Sequence, residues 1–232
     1  MLKVTHPTQI RVLRTLVFEE SLSYSELNRI AEPEMSSDNF NFHLKKLISQ
    51  GIISKEDSHY FIADKGLEYA SRIDLQETLV FQQPKVAIAL GIFKDESENE
   101  FLLNQRLYQP LKNTWGMHTE KMRIGDRWED VISRCLKNET GITSYKHKQV
   151  GISHLIRESD SLVLAHVVHH IFKIYPTNTE EIIFETDQVR NLWVKTEDVY
   201  DCTPTTPTFL KLFKEIVENE IVFMESEIEG RI

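Results

Sequence analysis

Residues 115–126, Trp-Gly-Met-His-Thr-Glu-Lys-Met-Arg-Ile-Gly-Asp, and residues 128–142, Trp-Glu-Asp-Val-Ile-Ser-Arg-Cys-Leu-Lys-Asn-Glu-Thr-Gly-Ile, decide how this chain is read. The second stretch is patterned as an amphipathic helix and the first as the loop that enters it. On a helix, positions 135, 138 and 139 share one face, so Cys135, Asn138 and Glu139 are neighbours in space. Cys135, in mid-helix, reads as a small packed residue and not as a nucleophile. Lys121 and Arg123 stand in the loop, and a helix start with basic neighbours can hold a phosphate without a metal. With Arg106 from the preceding strand, these three are the expected ligand-binding residues.

Upstream, Val86-Ala-Ile-Ala-Leu-Gly-Ile-Phe93 has the continuous apolar pattern of a buried strand. The polar stretch Asp95 to Glu100 reads as a turn, and Phe101 to Arg106 as a second strand expected to pair antiparallel with the first. Downstream, His166-Val-Val-His-His170 suggests a metal site, but strand geometry separates His166 from His170 by about 13 Å and turns His169 to the other side. A strand that carries polar residues toward a pocket is the expectation, with ligand contact by one of these histidines as the lesser alternative. After Pro204 and Pro207, Thr208 to Met224 places Phe209, Leu212, Phe213, Ile216, Val217 and Phe223 on a helical stripe, so residues 204–232 are expected to form a C-terminal helix.

The quoted stretch resembles the loop and helix of the Nudix family. The family pattern is a glycine, five residues, a glutamate, seven residues, then Arg-Glu-aliphatic-x-Glu-Glu-x-Gly-aliphatic. Arg134, Leu136, Glu139, Gly141 and Ile142 fix the register, and the similarity extends over about residues 84–200 through Arg106 and Leu192 to Val199. The resemblance implies a mixed sheet sandwiched between helices. It also exposes departures: Glu120 stands at the box glycine, Asp126 at the first glutamate, and Cys135 and Asn138 at two of the three metal-binding glutamates of the helix. Magnesium seeks hard oxygen ligands, which a thiol does not supply and an amide supplies without charge. The expectation is therefore a domain that binds a nucleotide-related or phosphorylated small molecule without hydrolysing it, and without a cofactor. In the alternative, an active Mg-dependent hydrolase of nucleoside diphosphate derivatives, Asp126 and Glu139 would hold the metal.

The first 75 residues carry a different signature. Ile10, Leu13, Leu16 and Val17 mark one helix; Ser23 and Glu26 form a capping box before Leu27 and Ile30. Ser36 or Ser37 starts a third helix bearing Phe40, Leu44 and Leu47, which Gly51 ends. Ile52-Ile53 and Tyr60-Phe-Ile62 flank a polar stretch and read as a hairpin. Three helices and a hairpin, with Asn41-Phe-His-Leu-Lys-Lys-Leu-Ile-Ser-Gln-Gly-Ile-Ile53, resemble the winged helix-turn-helix of ArsR- and MarR-like regulators. That resemblance implies double-stranded DNA as partner, a homodimer reading two half-sites, and DNA contacts from Ser37, Asn39, Asn41, His43 and Lys46 on the third helix, with Lys45 and Lys55 adding phosphate contacts.

The whole chain is thus expected to be α+β in two domains: a winged helix-turn-helix over 1–75, a linker over 76–84, and an α/β/α Nudix-like sandwich with a mixed sheet over 85–203, followed by the C-terminal segment. Its 232 residues suit two modest cores. A net charge of −9, and nine basic against eleven acidic residues in the first 75, exclude a strongly basic, nonspecific nucleic-acid binder. Two cysteines form no disulfide framework or zinc pair, and no apolar run is long enough to span a membrane, so an intracellular, cytoplasmic protein is expected. Together these readings make a ligand-responsive transcriptional regulator.

Overall fold

In the computed structural model, residues 6–70, 73–74, 79–80, 83–109, 111–159, 162–179 and 182–229 are described. The chain divides into two compact units, Met1–Gln83 and Pro84–Ile232. Among the described residues no helix is long and apolar enough to cross a membrane.

The first unit runs α1 (Pro7–Phe18), β1 (Leu22–Ser23), α2 (Tyr24–Ala31), α3 (Ser37–Ser49), β2 (Ile53–Glu56), β3 (His59–Ile62), α4 (Asp64–Ala70), then β4 (Ile73–Asp74) and β5 (Leu79–Val80). Ser23 accepts from the Glu26 N–H while the Glu26 carboxylate accepts from the Ser23 N–H, so the capping box fixes the start of α2. Leu13, Leu27, Phe40, Leu44 and Leu47 meet in one core with Ile52, Ile53 and Tyr60 of the hairpin. The hairpin turns at Asp57 and Ser58, both at positive φ, which matches the twist of two closely paired strands. β1 adds to β3, making a three-stranded sheet in the order β1-β3-β2. Of the expected linker, residues 76–78, 81 and 82 lie outside the described residues, whereas Leu79–Val80 pairs antiparallel with Ile73–Asp74.

Gly66 of α4 lies directly against the hairpin entry. A Cβ at this position would sit 2.1 Å from the Ile52 carbonyl oxygen, backbone that cannot rotate away. Gly66→Ala is expected to destabilise the unit by roughly 2 kcal/mol, the scale of a forced backbone shift in a packed region. Thermal denaturation followed by circular dichroism measures this, and an unchanged midpoint would refute the close approach.

The second unit comprises β6 (Lys85–Ile92), β7 (Glu100–Arg106), β8 (Trp115–Gly116), β9 (His118–Lys121), α5 (Trp128–Thr140), β10 (Tyr145–Ser159), β11 (Leu162–Pro176), β12 (Val189–Lys195), a 3-10 turn (Thr196–Asp201), α6 (Pro207–Glu218) and β13 (Val222–Glu229). One mixed sheet has the order β13-β10-β11-β6-β9 and a second, antiparallel sheet the order β12-β7-β8. β6 and β7 do not form the hairpin expected of them; they share only the bridge Phe93 to Phe101, and each joins a different sheet. β6 is apolar on both faces, so it takes an interior place with a parallel neighbour, β11, on one side and β9 on the other.

Alternation along β6 divides the domain into layers. Ile88, Leu90 and Ile92 face α5 and pack on Val131, Ile132, Cys135 and Leu136. Phe93, Phe101, Leu103 and Ile171 lie in a second core with Phe209, Leu212, Phe213 and Ile216 of α6. The C-terminal segment departs from the single helix expected over 204–232. α6 stops at Glu218, and Val222–Glu229 forms a strand parallel to β10. Val222 and Met224 turn inward while Phe223 is exposed, a period of two that outweighs the helical spacing of Phe223.

Candidate ligand cleft of the second unit

A cleft of about 660 Å³ opens on the α6 side of the mixed sheet. Its floor follows from strand alternation: Ala87 and Ala89 of β6, Ala165, Val167 and His169 of β11, and Ser153, Leu155 and Arg157 of β10 all point the same way. Small alanines leave the volume open. Trp115, Tyr108, Phe209 and Leu212 form apolar walls. Flat apolar surfaces with a few polar groups are the usual composition of a small-molecule site.

At one end Glu139, from the last turn of α5, meets Glu120 of β9 and Asn104 and Arg106 of β7. Asn104 Nδ2 donates to Glu139 Oε2 at 3.1 Å. Burial, reinforced by the negative charge of Glu120, pushes the Glu139 carboxyl up to about 7 despite Arg106 nearby. Its backbone is fixed as well. The Glu139 carbonyl, one of the unpaired carbonyls at a helix end, accepts from Asn191 Nδ2 at 2.6 Å, and Ile183 O accepts from the same amide at 2.7 Å. Asn191 Oδ1 therefore accepts from His118 Nε2 at 2.9 Å. His118 is fully buried, and desolvation lowers its pKa to about 4, so the ring is neutral. Gly141, at φ 76°, ends α5 in the left-handed conformation that glycine adopts without strain.

The loop before α5 is held by a separate ion pair. Arg134 Nη2 donates to Asp126 Oδ2 at 2.8 Å and its Nε lies 3.8 Å from Glu120 Oε1, while Asp126 also accepts from the Arg123 N–H at 2.8 Å. The Arg134 bond, followed by the Arg123 N–H, holds the Asp126 carboxyl below its ordinary range.

Of the expected ligand residues, Arg106 and Lys121 line the cleft and Arg123 does not. The Arg106 guanidinium also lies over the Tyr108 ring, 4.7 Å from its centroid. Of the two expected metal residues, Glu139 lines the cleft and Asp126 is engaged by Arg134 outside it. Cys135 is wholly buried in the α5 core, and desolvation raises its thiol well above the ordinary range, so no thiolate faces the cleft. Asn138 is exposed. Among the described residues no three His, Cys, Asp or Glu side chains stand as a metal-binding group. This donor set does not fit a multi-carboxylate magnesium site. His169 faces the cleft, with Ser153 Oγ 3.4 Å from its Nδ1, whereas His166 and His170 turn to the opposite face. There His166 Nε2 meets His154 Nε2 at 2.7 Å and the His170 ring lies against Trp128. Glu120, singled out in the sequence as the residue at the box glycine, also lines the cleft, whereas Arg157 is a cleft residue absent from the expected set; alternation from Ser153 through Leu155 to Arg157 is the signal that would have found it.

In the first unit, Ser37, Asn39, Lys45, Lys46 and Lys55 are exposed and Asn41 is half-buried. His43 is not an outward residue as expected. It is 8% exposed and stacks on His6 with ring centroids 4.1 Å apart, because position 43 falls beside Leu44 and Phe40 on the core side of α3. Phe42, 62% exposed, occupies the outward face instead.

The second unit has the fold of Nudix domains. Solved structures with this fold include the MutT protein from Bacillus halodurans, 18% identical, with a TM-score of 0.52 over 62% of this chain and 89% of that one. They also include the Nudix domain of Shewanella oneidensis NrtR in complex with ADP ribose, 17% identical, with a TM-score of 0.50 over 66% of this chain and 96% of that one. Residues 2–73 match the model of a domain of unknown function (DUF7347). No curated protein sequence matches the chain at a significant level.

Proposed function

We propose that the protein is a DNA-binding transcriptional regulator in which the Nudix-type domain senses a nucleotide-related or phosphorylated small molecule without hydrolysing it. The observation that carries this reading is the cleft itself: a large cavity with apolar walls and cationic side chains, beside an α5 helix that presents a buried thiol, an exposed amide and one carboxyl where the family gathers three carboxylates. Two-metal activation of water needs the negative charge that positions 135 and 138 lack. The ADP ribose held by the Nudix domain of NrtR supports a ligand of the nucleoside diphosphate class. Arg106 and Lys121, which line the cleft, would meet its phosphates, and the aromatic walls suit a planar base.

The order of three helices and a hairpin supports a winged helix-turn-helix, with α3 as the recognition helix. Ser37, Asn39, Asn41, Lys45 and Lys46 would meet DNA from α3 and Lys55 from the hairpin. Ligand binding would shift the population of arrangements in a homodimer and so change operator affinity.

Two measurements test the proposal. In a mobility-shift assay with DNA from the gene's own upstream region, the protein should bind in a salt-sensitive manner. Lys46→Ala should weaken binding about tenfold, in line with the loss of one charged contact. No retardation at low salt would overturn the DNA-binding half. Calorimetric titration should give ADP-ribose binding without magnesium, and incubation of a diphosphate panel with Mg or Mn should release nothing. Metal-dependent release that Glu139→Gln abolishes would establish the hydrolase alternative.

A further inference from the structure

Two cations of the mixed sheet are more than nine-tenths buried: Lys173, 9% exposed, and Arg157, 8% exposed. Lys173 has its counter-ion, with Nζ 2.7 and 2.8 Å from the two carboxylate oxygens of Glu98. Arg157 has no hydrogen bond or ion pair to any described residue, although it lines the cleft. A mostly buried arginine without a counter-ion favours an anion that enters the cleft beside it.

The first turn of α6 lies in the same cleft. Thr206, the N-cap, accepts from the Phe209 N–H at 3.2 Å, and Pro207 at the first helical position has no N–H. The Thr208 N–H is therefore left as a first-turn donor without an acceptor among the described residues. Thr208 Oγ1 is buried without a partner, and Thr206, Thr208 and Phe209 all line the cleft. The helix start with unused donors and the mostly buried arginine line the same cleft, and each favours negative charge.

We infer that Arg157 and the first turn of α6 form an oxyanion subsite, which takes a phosphate monoester or a carboxylate carried by the cleft ligand. The subsite rests on the reading of the cleft as a ligand site, though not on the ligand being a nucleotide. Arg157 is four residues along β10 from Ser153, which stands in register with His169, and His169 with Ala87 and Lys121 in turn. That spacing is about 13 Å along the strand. The ligand class is thus an extended molecule with two anionic groups, one toward Arg106 and Lys121 and one at Arg157. Ser153 and the His169 ring lie between them and offer hydrogen bonds to uncharged groups such as sugar hydroxyls.

The test is thermal denaturation of the full chain at constant ionic strength, with chloride replaced by inorganic phosphate, ribose 5-phosphate or acetate. Tryptophan fluorescence follows the second unit, because Trp115, Trp128 and Trp193 all belong to it. At tens of millimolar anion, the wild type and the surface variant Lys146→Gln should gain about 4 °C, as for a millimolar site. Phosphates acting without acetate identify a phosphoryl group, and acetate acting alone a carboxylate. Arg157→Gln should show no gain, and Arg157→Lys, which keeps the charge but loses the paired donors, less than half. A full gain in Arg157→Lys or in folded Arg157→Gln overturns the subsite, as does a wild type indifferent to all three anions. ADP-ribose titration separates the two readings: an Arg157-dependent anion response without ADP-ribose binding keeps the subsite and overturns the nucleotide class.

Discussion

Glu139→Gln should stabilise the second unit by roughly 3 kcal/mol at pH 8 and by almost nothing at pH 4.5. The Glu139 carboxyl is held up to about 7 in the fold, against an ordinary value of 4.5. Between those values the unfolded chain has released its proton and the folded one has not. Stability therefore falls as pH rises through this window, by about 1.4 kcal/mol for each pH unit of separation. Above pH 7 the fold carries a carboxylate that burial and Glu120 both disfavour. Glutamine keeps an acceptor for Asn104 and removes the charge. Urea unfolding read by tryptophan fluorescence gives the comparison, and an equal effect at both pH values would show that Glu139 is as easily ionised as a surface carboxyl. The same arrangement makes anion binding proton-linked: a phosphate beside Glu139 raises its pKa further, so affinity should decline above pH 7.

Cys135→Glu should cost about 4 kcal/mol at pH 8 and clearly less at pH 5, although it restores a residue of the family pattern. The thiol packs with Ile88, Leu90 and Leu136, and a glutamate there must either bury charge near Glu139 and Glu120 or displace the core. Cys135→Ala should cost only about 1 kcal/mol, the loss of one small buried group. Magnesium should not recover the stability lost by Cys135→Glu, since Asn138 still contributes no charge. Recovery by millimolar magnesium would mean that position 135 faces a metal locus, and would return the hydrolase reading to the front.

Features legible in the sequence are those decided within a few residues. The capping box of Ser23 and Glu26 is a local exchange of hydrogen bonds, and the register of α5 follows from one amphipathic turn after another closed by Gly141. Long-range pairing was not legible. Val86 to Phe93 and Phe101 to Arg106 look like a hairpin because they are adjacent in sequence, yet β6 pairs with β11 and β9 and β7 with β12 and β8, and none of these partners leaves a mark in either strand. The strand Val222–Glu229 was hidden for a related reason: Phe223 extends the helical stripe of α6, and only pairing with β10 favours the extended form. In the cleft, Lys121 is legible as a basic residue beside a helix start and Arg106 as the end of the preceding strand, and both line it. Arg157 was missed because its significance is the absence of a partner, which emerges only when the strands around it are assembled.

The place of β13 has a consequence for synthesis of the chain. The first unit has every residue of its principal core by Tyr60, and can condense while the rest is still being translated. The mixed sheet obtains its outermost strand from residues 222–229, some 137 residues after β6 begins, counting from 85 to 222. Until those residues emerge, the Gly151–Glu158 edge of β10 is unpaired, and the Val222 and Met224 positions of the core stand empty. A ribosome that stalls or terminates between residues 200 and 222 would therefore release a finished N-terminal unit tethered to an aggregation-prone sheet. Closure of the mixed sheet therefore waits on Val222–Glu229.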